Sequence, residues 1–155
     1  MTPLADLGAF DETLERTADL LNRARVRWMV VGGAAMVLHG LEQGPVADID
    51  IILPAVDAGE LADRHCWQNH ADTRSARFRS ELRLQPELGP VPVDLLGGFR
   101  IRGGDGWVSV QPGETRRVRV GAQPVFLPTL PRLAHLFWLC GREKDLRRAA
   151  LIAGD

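Results

Sequence analysis

Three features of the sequence predict an α+β (α/β) fold, a mixed β-sheet with flanking helices. Residues 28–53, WMVVGGAAMVLHGLEQGPVADIDIIL, read as a strand, a Gly-Gly turn, a short helix, a loop and a second strand. Further along, short apolar runs of strand type alternate with segments whose apolar residues recur at helical spacing. Finally, a chain of 155 residues that is 45% hydrophobic and 25% charged has the size and composition of one soluble globular domain, here taken as 1–155.

In the N-terminal segment, Phe10, Leu14, Ala18, Leu21 and Ala24 form one apolar stripe, with Asp11, Glu12 and Glu15 in its first turn, so residues 10–25 are expected to be an amphipathic helix lying on the sheet. Arg23, Arg25 and Arg27 suit the negative end of that helix. A strand is expected over 28–31. The helix after Gly33 carries Ala34, Ala35, Val37 and Leu38 inward and ends at Gly40. His39, at the end of this helix, reads as a structural residue and not as a metal ligand. After the second strand, Pro54 stops pairing and a helix is expected over 58–69, with Leu61, Ala62 and Cys66 facing inward.

Between residues 74 and 84 the period changes to two. Ala76, Phe78, Ser80, Leu82 and Leu84 alternate with Arg77, Arg79, Glu81 and Arg83, which predicts one strand with a mostly basic face, read as an edge guarded by charge. Pro86, Gly89 and Pro90 turn the chain into a strand over 91–96. Glycines at 97–98 and at 103, 104 and 106 frame an expected loop, followed by short strands at 107–110, 116–120 and 125–127. Pro128 and Pro131 precede a helix over 130–139 that is apolar almost all round and so expected to be buried; a last helix over 142–152 follows Gly141, with Leu146, Ala149, Ala150 and Ile152 inward.

The chemistry concentrates in the second strand. Asp48 and Asp50 are two positions apart, so both carboxylates project from one face. Their mutual repulsion is relieved by water or by a positive partner, and a divalent cation such as Mg²⁺ or Mn²⁺ is the most economical one. Just upstream, Gly32 and Gly33 have no side chains to keep a ligand from the backbone, and the helix that follows offers its N-terminus to a phosphate. Asp94, flanked by Val91, Val93, Leu95 and Leu96, needs a partner to offset its desolvation and is placed with Asp48 and Asp50.

The pattern of Gly-Gly, a helix ending in His39-Gly40, and Asp48-Ile49-Asp50 before Ile51-Ile52-Leu53 resembles the nucleotidyltransferase superfamily of DNA polymerase beta-like fold, particularly its small prokaryotic members. Asp94 in VPVDLL matches the family's third carboxylate, and Gly141-Arg142-Glu143-Lys144-Asp145 matches the Gly-Arg-x-Lys-Asp segment of many small relatives. The resemblance implies that Asp48, Asp50 and Asp94 are the catalytic and metal-holding residues, with Gly32, Gly33, Arg142 and Lys144 binding the nucleotide; ion pairing within Arg142-Glu143-Lys144-Asp145 explains those two cations equally well. The implied reaction is metal-dependent transfer of a nucleoside monophosphate from a nucleoside triphosphate such as ATP to a hydroxyl on a small molecule, protein or RNA. A toxin-antitoxin or antibiotic-modifying setting is implied, and so is a separate helical partner protein, since some relatives of this size work with one. The chain departs from the family at Gly44 and Val46, where relatives carry Arg and Thr, and at Phe137, where they carry a basic residue. These losses point to the alternative of a nucleotide-binding module without turnover.

Composition excludes other classes. A net charge of -1 gives no general attraction to nucleic acid or acidic surfaces. Cys66 and Cys140 are too few for a disulfide framework, have no zinc spacing, and are expected to be reduced and buried. The N-terminus lacks a basic region followed by an apolar core, and no apolar run reaches bilayer length, so a cytoplasmic location without membrane association is expected.

Overall fold

The computed structural model describes residues 2–154. In chain order its elements are α1 (Thr2–Ala24), β1 (Met29–Val31), α2 (Gly32–Leu38), β2 (Ile49–Leu53), α3 (Ala55–His65), β3 (Phe78–Arg79), β4 (Leu82–Leu84), β5 (Val93–Gly97), β6 (Arg100–Gly103), β7 (Gly106–Ser109), β8 (Thr115–Val120), β9 (Gln123–Pro128), α4 (Leu130–Cys140) and α5 (Glu143–Gly154). The architecture is α+β. Three sheets are formed among the described residues: β1-β2-β5-β4, β3-β6-β7 and the hairpin β8-β9.

The first sheet is mixed, with β1 and β4 antiparallel to their neighbours and β2 parallel to β5. Its alternation sorts the side chains into two layers. Val30, Ile49, Ile51, Leu53, Val93 and Leu95 enter the main core with Phe10, Leu14, Ala18 and Leu21 of α1. Met29 and Ile52 point the other way, into a smaller cluster with Ile101, Val110 and Leu136. Asp50 and Asp94 share parity with Ile52, so they lie on this second face. The lead into β5 is fixed from α1, where the Thr13 hydroxyl donates to the Ala9 carbonyl (2.8 Å) and accepts from the Val91 amide (3.1 Å).

Several expectations are corrected. The basic segment is two strands and not one: β3 pairs with β6 while β4 pairs with β5, and the chain changes sheet between them, the Glu81 amide already donating to the Gly97 carbonyl (2.9 Å). The segment 99–102, expected as a loop, contributes β6, and the glycines after it make the β6–β7 turn. Period-two alternation was present there in Arg100-Ile101-Arg102, but the flanking glycines masked it. The third helix covers Ala55–His65 and stops at Cys66, which takes the left-handed conformation (φ 56°) and is exposed. Trp138 of α4 is 64% exposed, so that helix is buried on one side only. Asp48 lies immediately before β2. No helix among the described residues is long and apolar enough to cross a membrane.

Candidate active site

The parallel register of β2 and β5 sets Asp50 directly beside Asp94, and Asp48 approaches from the turn before β2. One carboxylate oxygen from each lies within 4.8 Å of the others. Asp48 is exposed, Asp50 half-buried and Asp94 buried. Burial, and then the charges of Asp48 and Asp94, push the Asp50 carboxyl up to about 7, against a smaller opposing effect of Arg83 and Arg142. Asp94 is held by two donors, Arg83 Nε and Gln85 Nε2, each 3.0 Å from Oδ1. Neither touches Oδ2, which keeps its lone pairs for another partner.

These carboxylates open into a cleft of about 600 Å³ between the first sheet, the β3-β6-β7 sheet and the α4–α5 pair. All seven residues singled out in the sequence, Gly32, Gly33, Asp48, Asp50, Asp94, Arg142 and Lys144, line it. Gly32 adopts φ 68°, a conformation that favours glycine, and a Cβ there would stand 3.7 Å from Asp50 Oδ2. Arg142 is committed to Asp145, through Nε to Oδ2 (2.6 Å) and Nη2 to Oδ1 (3.1 Å), and its Cζ lies 5.0 Å from the Phe78 ring centroid. Lys144 is exposed on the rim. His39 stays structural: its Nε2 donates to the Pro128 carbonyl (2.8 Å) and ties the end of α2 to β9.

Charged residues of the cleft that the sequence does not assign to the site include Glu42, Asp72 and Arg148, together with Arg79 and Arg83, expected only to guard a strand edge. Of the residues expected on the inward face of α5, Ala149 and Ile152 are half-buried, whereas Leu146 (45%) and Ala150 are exposed, and Arg148 takes a place on that face. The face that turns inward is Asp145, Arg148, Ala149 and Ile152, a helical stripe with polar members. Helical spacing starting from Asp145 would have found it.

An oxygen-only, like-charged donor set suits a hard divalent cation such as Mg²⁺ or Mn²⁺, which needs carboxylates and completes its shell with water or phosphate. With the backbone of a glycine turn beside it, such a set is suited to handling phosphate esters. The class these features define is a protein of nucleotidyltransferase-type fold.

Solved structures give that class its content. A candidate nucleotidyltransferase from Thermotoga maritima superposes with TM-score 0.65 at 21% identity, over 86% of each chain. A lincosamide antibiotic adenylyltransferase in its lincomycin-bound form matches with TM-score 0.57 at 17% identity, over 91% of this chain and 94% of that one. An antigenic nucleotidyltransferase-like protein from Paracoccidioides brasiliensis matches with TM-score 0.56 at 13% identity, over 95% of this chain and 76% of that one. At these identities the likeness is one of fold. No protein-family model and no curated protein matches the sequence.

Proposed function

We propose that this protein is a metal-dependent nucleotidyltransferase that moves a nucleoside monophosphate from a nucleoside triphosphate to a hydroxyl acceptor. The observation that carries the reading is the convergence of Asp48, Asp50 and Asp94 within 4.8 Å in a cleft that also holds the Gly32-Gly33 turn. In this reading Asp48 and Asp50 hold the cation that accompanies the triphosphate, and Asp94 serves the acceptor side. Bound there, Mg²⁺ or Mn²⁺ supplies charge neutralisation to the phosphates and lowers the pKa of the attacking hydroxyl. The residues do the positioning. Gly32 and Gly33 put no side chain of their own between backbone amides and phosphate oxygens, Lys144 sets positive charge on the rim beside the Arg142–Asp145 pair, and Oδ2 of Asp94 faces no competing donor among the described residues. The acceptor hydroxyl gives its proton to Oδ2 of Asp94, its oxygen bonds to the α-phosphorus, and the bond to the departing pyrophosphate breaks.

An antibiotic-modifying role is favoured by the likeness to the lincosamide adenylyltransferase; a toxin-antitoxin role with a helical partner protein rests on the sequence resemblance alone. Apolar Val46 and Phe137 on the cleft wall favour a second reading, a nucleotide-binding module without turnover. Labelled nucleoside triphosphates, Mg²⁺ and a panel of hydroxyl acceptors that includes the protein itself separate the two. Metal-dependent label transfer with pyrophosphate release is expected. Nucleotide binding without transfer to any acceptor would favour the module.

A further inference from the structure

Arg148 reaches the cleft from α5 and meets Glu42, which follows α2. Its Nε lies 2.9 Å from Glu42 Oε2 and its Nη2 3.2 Å from Oε1, a two-pronged pair. The same Nη2 is only 3.0 Å from the point where a Cβ on Gly33 would stand, so the guanidinium lies over the glycine turn. From below, the ring of Phe137 supports it, with Cζ 5.6 Å from the ring centroid. Glu42 is itself anchored, because its amide and that of Leu41 donate to the Met36 carbonyl at 3.3 and 2.9 Å. Gly33, Glu42, Phe137 and Arg148 all line the cleft that contains the three aspartates.

A guanidinium fork engaged by a carboxylate presents the geometry that two phosphate oxygens also require. The Arg148 side chain is 25% exposed and that of Glu42 31%, so the pair can exchange partners without unpacking the core. A purely structural tie between α2 and α5 would not require the guanidinium to cover the glycine turn. We propose that Arg148 is a nucleotide-binding residue that Glu42 holds in the free protein, and that triphosphate oxygens replace Glu42 as its partner when nucleotide binds. The inference rests on the nucleotidyltransferase reading. It makes Glu42 a competitor of the substrate, and it assigns Phe137 to positioning the cation.

The test uses the full chain and titration calorimetry with Mg²⁺ and a non-hydrolysable nucleoside triphosphate. Glu42→Gln and Arg148→Ala break the same ion pair, so a structural role would move stability and affinity in the same direction in both. Under the proposal the affinities diverge: Arg148→Ala loses about tenfold or more and Glu42→Gln gains a few-fold. Arg148→Lys, which keeps the charge without the fork, falls between the parent and Arg148→Ala. In the Arg148→Ala background the gain from Glu42→Gln shrinks to less than half, because the competition is gone. If the parent binds nucleotide and Arg148→Ala and Arg148→Lys both bind it equally well, the inference is overturned while the nucleotidyltransferase reading stands. If the folded parent binds none, both are overturned.

Discussion

At the scale of single residues, the three carboxylates differ in burial and in partners, and those differences separate their expected roles. Asp48 and Asp50 repel one another in the free protein, and a cation relieves that repulsion. Millimolar Mg²⁺ or Mn²⁺ is therefore expected to raise the melting temperature of the parent. The Asp48→Asn/Asp50→Asn double variant should melt no lower than the metal-free parent and gain nothing from metal; an equal metal shift in both proteins would remove the case for a cation here. Asp94 is already hydrogen-bonded by Arg83 and Gln85, so Asp94→Asn keeps its shape and loses its charge. That variant should bind Mg²⁺-nucleotide within a few-fold of the parent yet lose transfer by at least about a hundredfold, a barrier increase of about 3 kcal/mol. Single-turnover transfer rates alongside binding titrations check it, and full activity would mean that another group serves the acceptor. The faces of Asp50 and Asp94 follow from strand alternation, but Asp48 lies just before β2 and the Asp50–Asp94 pairing is set by strand register, which spacing alone does not give. The sequence did not carry Glu42 or Arg148, whose meeting across 106 positions depends on how α5 is rotated on the sheet.

At the scale of elements, close approach of backbone decides what glycine does. Gly97 ends β5 against α3, and a Cβ there would come 2.5 Å from Ala58 Cβ and 3.5 Å from the Ala55 backbone. Gly97→Ala is expected to force α3 away from the sheet and to cost about 1–3 kcal/mol by chemical denaturation. A stability equal to the parent's would show that α3 yields freely. Helix α4, the strands β1, β2 and β5, and α1 from residue 10 onward could be located from period and punctuation; the turns of α1 from Thr2 to Ala9 could not. The division of the basic segment into β3 and β4, and the strand nature of β6, could not, because sheet membership is set by pairing partners distant in sequence and glycines at both ends of β6 imitate a loop.

On the scale of the whole molecule, the cleft lies between the first sheet on one side and the β3-β6-β7 sheet with α4 and α5 on the other. Nucleotide filling it should slow amide hydrogen exchange at 31–50, 75–83, 94–101 and 141–148, while the β8-β9 hairpin, which packs against α1, stays unchanged. Protection confined to β8-β9 would move the binding site elsewhere. The order in which the chain presents the walls of the cleft has a consequence for its biosynthesis. Asp48 and Asp50 leave the ribosome early, but their cationic counterparts on and before α5 come among the last residues described. At about 5–20 residues per second, roughly 5–20 s of translation separates Asp50 from Arg148. Only when Arg83 follows do the two aspartates meet a cation of the cleft wall, and under the proposed reading the competence to hold a nucleotide is complete only when α5 has been made.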